Sequence, residues 1–389
     1  MRSSLRRRVA WSALGLGALA LAIVACGTVS KYYDTTRPHH TRTGFQNNYL
    51  TGPIGGSFLE WQWDRITKGL PKRPANGYHF PVVTPDAAWL KANRTETTAT
   101  WIGHATMLLQ VAGVNIITDP ILSERAFMVQ FIGPRRKVPP ALTVAQLPHI
   151  DVVLISHNHY DHLDRDTVLA LNAQAGGPPL FLVPLGVKDW MADQGISNVR
   201  ELDWWQQTTV TGLKIDFVPS QHWSARSPFD RFETLWGGWV VQSAGTPAAS
   251  STASSAMANP AAGNGAQQAV KPFSFFFAGD TGYSKDFADI GARYGGFDLA
   301  MLPIGAYEPH WFMPPQHIDP AEAVQIMQDV RAKRAIAIHW GTFELSDEPL
   351  DAPPVALAAA VKEAGIAPDR FTVLKHGETR RFQALLPKR

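Results

Sequence analysis

The sequence predicts an α/β fold in which two β-sheets are flanked by helices. Three observations carry that prediction. Short β-branched and aromatic runs alternate with segments of helical spacing from about residue 98 onward, the pattern of layered sheet-and-helix domains. Several of those runs end in a histidine or an aspartate, and open α/β sheets place ligand sites at the carboxyl ends of their strands. The chain has 389 residues, 45% of them hydrophobic, with 19 Phe and 13 Trp. That is ample material for one large domain or two ordinary ones.

The N-terminal residues have the three parts of an export signal. Arg2 to Arg8 is basic, Val9 to Ala25 is apolar and interrupted by glycine, and Ile23-Val24-Ala25-Cys26 resembles a bacterial lipobox. In a lipobox the cysteine is acylated and becomes the new N-terminus. Residues 1–25 are therefore expected to be a signal peptide of lipoprotein type and Cys26 the lipidation site, with the body lipid-anchored in the bacterial cell envelope. Gly27, rather than aspartate, after the cysteine favours the outer membrane, facing the periplasm. The alternative is an uncleaved signal anchor, although the apolar run falls just short of a comfortable span. Cys26 is the one cysteine, which excludes a disulfide and a thiolate metal site. Removing the four arginines of the first 25 residues takes the formal charge from +3 to −1. No basic field for nucleic acid survives.

Residues 26–60 are rich in Thr, Gly, Asn and Pro and read as a tether or N-terminal arm, ahead of a folded domain over residues 61–389. Trp61-Gln-Trp63 and Tyr78-His-Phe80 place aromatics between prolines, as at a core edge. Ala99 to Ile102, Met107 to Val111 and Val114 to Thr118 read as strands, with turns at Gly103-His104 and Ala112-Gly113. Asp119-Pro120 ends the third. Phe127 to Ile132 is apolar and precedes the basic Gly133-Pro-Arg-Arg-Lys137. The pair suits either a membrane-surface contact or a packed loop with a solvated charged rim. Asp151 to Ile155 is short, β-branched and continuous, hence a buried strand. Leu180 to Pro184, Lys214 to Pro219 and Leu235 to Gln242 follow as strands, with a helix over Gly186 to Gln194. Residues 243–271 are almost wholly Ala, Ser, Thr, Gly, Asn, Gln and Pro. They cannot bury enough apolar surface to order themselves and read as a disordered insertion between adjacent strands. Phe273 to Ala278, Leu299 to Ile304, Ala335 to Ile338 and Phe371 to Lys375 are further strands. Ala321 to Ala332 and Val355 to Ala364 read as helices, the second closed by Gly365.

Directly after the Asp151–Ile155 run comes His157-Asn-His-Tyr-Asp-His162, with four metal-capable side chains in six residues. Neutral imidazole and carboxylate suit zinc and similar divalent ions. Alternation along an extended loop points His157 and His159 the same way and leaves Asp161 and His162 for a neighbouring ion. His222, Asp280 and His339 each lie at the end of a later strand.

This His-x-His-x-Asp-His pattern resembles the signature of the metallo-β-lactamase superfamily, whose fold is a four-layer αββα sandwich. The resemblance implies a ligand set of two zinc ions. His157, His159 and His222 would hold one, Asp161, His162 and His339 the other, and Asp280 would bridge both, so that Asp161 and Asp280 are the carboxylates expected to serve catalysis. Asp119 would brace the metal loop by hydrogen bonding. Iron or manganese in the same ligand set is the alternative to zinc.

Longer blocks sharpen the resemblance. Trp101-Ile-Gly-His-Ala-Thr106, Gln221-His-Trp223, Phe277-Ala-Gly-Asp-Thr-Gly-Tyr283, Leu302-Pro-Ile-Gly-Ala-Tyr-Glu-Pro309, Gln316-His317 and Ile338-His-Trp-Gly-Thr-Phe343 are similar to the N-acylphosphatidylethanolamine phospholipase D family. Membership would imply hydrolysis of the distal phosphodiester of that membrane phospholipid by a metal-bridging hydroxide, releasing an N-acylethanolamine and phosphatidic acid. Tyr160 and His317 match positions that contact the headgroup in the family, and Trp223 and Trp311 would line the greasy approach. The family's tendency to dimerise makes a homodimer an expectation. The signal region and residues 243–271 depart from the family pattern, which touches location and docking rather than the metal site. A lactonase or general phosphodiesterase of the same fold, and a non-catalytic envelope lipoprotein, are the competing readings.

Overall fold

The structure, a computed structural model, describes residues 29–49, 58–71, 73–244 and 272–382. The expected signal peptide, Cys26 and nearly all of the 243–271 insertion lie outside the described residues.

A small ladder, β1 (His40–Thr41) with β2 (Gly44–Phe45), and two helices, α1 (Phe58–Thr67) and α2 (Ala87–Ala92), precede the sheets. The first sheet opens as an antiparallel meander of β3 (Thr97–Gly103), β4 (Thr106–Val111) and β5 (Val114–Thr118). In it β6 (Val152–Leu154), β7 (Leu180–Pro184) and β8 (Val199–Leu202) then run parallel, with α3 (Arg165–Asn172) and α4 (Val187–Asp193) as crossovers. The second sheet repeats this plan. In it β9 (Gln207–Val210), β10 (Leu213–Val218), β11 (Gly238–Ser243) and β12 (Ser274–Phe277) pair antiparallel. Next come β13 (Leu299–Pro303), β14 (Ala335–Ile338) and β15 (Phe371–Thr372) in parallel, interleaved with α5 (Asp286–Tyr294), α6 (Pro320–Asp329) and α7 (Ala352–Glu363). The last strand, β16 (Thr379–Phe382), returns to pair with β3, so each sheet has seven strands.

Both faces of the first sheet are buried, and strand alternation divides its side chains between two cores. Met107, Leu109, Ile116 and Leu154 join Phe217, Trp239 and Phe275 of the second sheet in the central cluster. Leu108, Ile117, Val153 and Phe181 face the other way, onto Leu90 of α2, Val168 and Leu171 of α3 and Met191 of α4. On the far side, Phe287 and Ile290 of α5, Val324 and Met327 of α6, and Leu357 of α7 cover the second sheet. The result is the expected αββα sandwich. Each fully buried aromatic such as Phe275 or Phe277 stabilises it by roughly 1.5–3 kcal/mol.

Several elements depart from the sequence reading. Residues 29–49, read as a tether or arm, lie against the body, with Phe45 in the central core and Tyr32 packed beside it. The strand read from Leu235 starts at Gly238, because Leu235 and Gly237 give their N–H groups to Leu185 and Ser156 across the sandwich. Of Phe371 to Lys375, Phe371 and Thr372 alone pair in the sheet. Helices α1, α2, α3 and α5, of 10, 6, 8 and 9 residues, were not read from the sequence.

Candidate metal centre

Parallel strands share a direction, so the loops after β6, β12, β13 and β14 emerge along one edge of the sandwich. Asp119 follows β5, residues 155–162 follow β6, His222 follows β10, Asp280 follows β12, and His339 follows β14. The turn between β3 and β4 adds His104. Asp119, His104 and His339 all have left-handed backbones, with φ of 33°, 54° and 59°, a conformation that costs such residues about 1–3 kcal/mol and clusters at functional sites. Gly279 (φ 64°) precedes Asp280, and a Cβ there would come within 2.5 Å of the Ser156 side chain. Glycine is thus what lets the Asp280 loop close on the histidine loop.

The side chains gather in two adjoining groups. In the first, His159 Nδ1 lies 2.8 Å from His157 Nε2 and 3.3 Å from His222 Nε2. In the second, Asp161 Oδ2 lies 3.3 Å from the Nε2 atoms of both His162 and His339, and 2.9 Å from His104 Nε2. Asp280 Oδ2 is 3.1 Å from Nε2 of His162 and of His339, and also forms a cluster with His222 and His317. It therefore touches residues of both groups.

Hydrogen bonds behind the histidines fix which nitrogen faces inward. Ser156 Oγ donates to Asp119 Oδ2 (2.5 Å), leaving it to accept from His157 Nδ1 at 2.9 Å. His162 Nδ1 donates to Asp119 Oδ2 at 2.7 Å, and His222 Nδ1 donates to the Gln316 carbonyl at 2.8 Å. With Nδ1 the donor on all three rings, Nε2 is the nitrogen each turns into the cluster, and on the neutral His157 and His222 it carries a lone pair. His159 Nδ1 then faces two lone pairs and can donate to only one. His162 Nε2, His159 Nε2 and Asp280 Oδ1 are buried with no hydrogen-bond partner among the described residues. Converging lone pairs and orphaned buried atoms are costly unless a cation sits among them, so the donor set fits a metal centre.

The electrostatics agree. Burial pushes the His157 and His222 imidazoles well below the usual histidine range and His159 down to about 4, so these rings are neutral. Burial alone would raise Asp161 and Asp280, but the charge of His162 outweighs it and holds both well below the usual carboxylate range. His162 and His339 respond in kind. Burial opposes their charge, yet Asp280 and Asp161 push His162 well above its ordinary value and His339 to about 9. Carboxylates that pull protons onto neighbouring imidazoles are carboxylates short of a cation.

All seven expected ligands converge here. Among the expected substrate contacts, His317 Nδ1 is 3.8 Å from Asp280 Oδ2, and its ring lies 5.2 Å from that of His222. Trp223 stands edge-on to His159, ring centres 4.5 Å apart. Trp311 is farther out, beside Phe312. The Tyr160 hydroxyl donates to the Arg226 carbonyl at 2.7 Å, so contact with a substrate would require that bond to open.

Two residues escaped the sequence reading. His104, taken there as part of a turn, joins the second group through Asp161. Asn47 accepts from the His222 N–H at 3.1 Å and donates to its carbonyl at 3.0 Å, so the N-terminal arm holds the His222 loop. The block Trp101 to Thr106 was a signal for His104. Nothing local marks Asn47.

A four-layer sandwich with histidines and aspartates gathered at its strand ends provides for a metal centre, and the family to which the chain belongs makes it a metal-dependent hydrolase. The chain belongs to the metallo-β-lactamase superfamily: a family model described as a β-lactamase superfamily domain matches residues 114–340. Igni18, a metallo hydrolase from Ignicoccus hospitalis, superposes with a TM-score of 0.52 at 21% identity, over 75% of this chain and 100% of that one. N-acyl-phosphatidylethanolamine-hydrolyzing phospholipase D 1 of Caenorhabditis elegans is 39% identical over 260 residues. The mitochondrial enzyme of that name from Saccharomyces cerevisiae is 34% identical over 290 residues. The matches cover 64% and 73% of this chain, and 64% and 55% of the two relatives.

Chelation should report on the site without reference to catalysis. An ion bound to the folded chain alone stabilises it by about 4 kcal/mol at a thousandfold excess over its Kd. Complete removal by a chelator is expected to lower Tm by several degrees in scanning fluorimetry. An unshifted Tm after elemental analysis has shown the metal gone would count against the site.

Proposed function

We propose that the chain is a zinc-dependent phosphodiester hydrolase of phospholipase D type that cleaves N-acylphosphatidylethanolamine to N-acylethanolamine and phosphatidic acid. The observation that carries the reading is the pair of ligand groups sharing Asp280, with His317 beside it, in a chain 39% identical to a relative named for that hydrolysis. His157, His159 and His222 would hold one zinc and Asp161, His162 and His339 the other, with Asp280 between them. Two such ions supply Lewis acidity at phosphorus and acidify water.

The chain's own residues do the rest. His317 is partly buried, and its desolvation with the charge of His339 outweighs Asp280 and holds its pKa near 4, so at neutral pH it is an uncharged ring. Its Nδ1 has no hydrogen-bond partner among the described residues. In the N–H tautomer it would donate to a phosphate oxygen and strengthen that bond as charge builds there. Trp223 and Trp311 offer apolar surface to acyl chains. The bond that breaks joins phosphorus to the ethanolamine oxygen. Water's oxygen ends on phosphatidic acid and one of its protons on the N-acylethanolamine.

The test is hydrolysis of N-acylphosphatidylethanolamine in mixed micelles, with metal content measured on the same sample. Phosphatidic acid with about two zincs per chain is expected, and His317→Ala should lower turnover about 10²-fold with zinc content unchanged. Two zincs and turnover of acyl-lactones, with no phosphatidic acid, would replace this reading with a lactonase.

We also propose that the enzyme is lipid-anchored through Cys26 in the bacterial cell envelope, at the outer membrane and facing the periplasm. The lipobox supports this. Among the described residues no helix is long and apolar enough to cross a membrane. Incorporation of an alkynyl fatty acid into the wild-type chain, lost in Cys26→Ser, is expected. Equal labelling of both would remove the anchor.

A further inference from the structure

The proposed substrate lies in a membrane, and the surface around the metal centre carries two apolar patches that the fold leaves uncovered. One is on α1. Leu59, Trp63 and Ile66 are spaced i, i+4 and i+7, which makes one helical stripe. They are 78%, 65% and 77% exposed, while Trp61 on the opposite side is buried. The apolar stripe of this helix therefore points into solvent, the reverse of an ordinary surface helix. The other patch is the loop after β5, where Phe131 is 82% exposed and Met128 and Ile132 more than half. Between residues 124 and 137 that stretch has four basic residues against one acid. Arg135 and Lys137 lie at its surface, each paired with a carboxylate (Glu124 and Glu344), and Arg136 turns inward onto the carbonyls of Ile121 and Ser123.

One patch touches the histidine loop, and the other adjoins the expected acyl approach at Trp311. The Phe127 ring lies 5.5 Å from Tyr160, inside the histidine loop. Trp61 stacks on Phe312 at 5.2 Å, and Phe312 adjoins Trp311. The segment trailing α1 and the basic stretch meet at one carboxylate: Arg73 and Lys137 both pair with Glu344, at 2.9 and 2.7 Å. The apolar surface thus lies on two sides of one rim.

We infer that the outer stripe of α1 and the 128–132 loop form a docking face that seats the rim of the metal centre on a lipid bilayer. This rests on the lipid-substrate reading in one respect: whatever covers this rim covers the entrance, and a bilayer is the covering that delivers the substrate. A second copy seated on both patches would obstruct it. An in-plane helix with an apolar lower face, a tryptophan at interface depth and flanking basic side chains is how proteins lie on anionic membranes. The occupant is therefore a phospholipid surface with anionic headgroups, contacted in the plane by α1 and at a point by Phe131.

The test places a solvatochromic dye at single sites in the full chain carrying Cys26→Ser, through Trp63→Cys, Phe131→Cys and, as control, Val355→Cys on α7. Val355 is 72% exposed and belongs to the helix layer outside the second sheet. With phosphatidylethanolamine–phosphatidylglycerol vesicles, the dye at 63 and 131 should shift to the blue and be quenched several-fold by nitroxide lipids. At 355 it should do neither. Equal response at 355, or none at 63 and 131, overturns the inference. So does a blue shift without vesicles that grows with protein concentration, which would assign the face to a second copy. Leu59→Glu with Ile66→Glu should cut hydrolysis of vesicle substrate about tenfold and leave turnover of bis-p-nitrophenyl phosphate unchanged. Loss of both activities alike would also overturn it. Insertion at 63 and 131 without phosphatidic acid would remove the substrate reading and keep the docking face. Hydrolysis in micelles without insertion would do the opposite.

Discussion

Replacing Asp280 by alanine is expected to lower hydrolytic turnover by about 10³-fold or more, equivalent to about 4 kcal/mol of transition-state stabilisation, and to reduce the metal content of the purified protein. The reason is its position. Its Oδ2 lies 3.1 Å from both His162 and His339, and it belongs equally to the group of His222 and His317. Asp119 reaches both groups from behind, at or through the Nδ1 side of His162 and His157, whereas Asp280 faces the Nε2 side of His162 and His339, so its loss weakens both groups at once. Asp280→Asn keeps the volume and removes the charge, and should be nearly as damaging, because a metal centre needs negative charge against a bound cation. If Asp280→Asn kept turnover within tenfold of wild type and its full metal content, the shared-carboxylate account would fail.

Asp119→Ala should produce the largest loss of stability. Asp119 is fully buried and accepts from the Ser156 backbone N–H at 2.7 Å, from the Ser156 hydroxyl, and from His162 Nδ1 at 2.7 Å. Alanine strands three buried donors at once, a change that costs about 3–5 kcal/mol. It also frees the His157 and His162 rings, whose inward tautomers depend on this carboxylate, so metal affinity should fall about 10–100-fold. Asp119→Asn retains an acceptor for Ser156 but turns its NH₂ toward His162 Nδ1–H. It should recover part of the stability and less of the affinity. Urea unfolding of the apo protein and metal titration separate the two effects. Wild-type affinity in Asp119→Ala would show that the rings are oriented by packing alone.

These two residues differ in how they could be found. Asp280 closes a run of four aromatics and small residues and falls into the ligand order of a known pattern, so a local reading reaches it. Asp119 also closes a strand, and its bracing role was legible by resemblance. The route by which it acts, through Ser156 to His157 as well as directly to His162, was not. Side-chain hydrogen bonds have no period and leave no trace in a hydropathy pattern.

The sequence by itself determined the layered α/β plan and most of the central strands, and by resemblance it put forward the seven candidate ligands in their chain order. Short continuous runs of β-branched residues favour buried strands, and a cluster of imidazoles and carboxylates at strand ends has a narrow range of chemical uses. Tertiary structure decided what depends on partners distant along the chain. The edge strand β8 contains Arg200 and Glu201 and has no apolar run to announce it, and is defined instead by pairing with β7. Gly291 in α5 is buried because the α6 backbone crosses it, where a Cβ would come within 1.9 Å of the Asp329 carbonyl. Asn47 reaches His222 across 175 positions, and His104 meets Asp161 across 57. The outward stripe of α1 belongs to the same class. Trp61-Gln-Trp63 reads in the sequence as aromatics at a core edge, and only the burial of Trp61 with Trp63 exposed reveals which face of the helix the fold left uncovered.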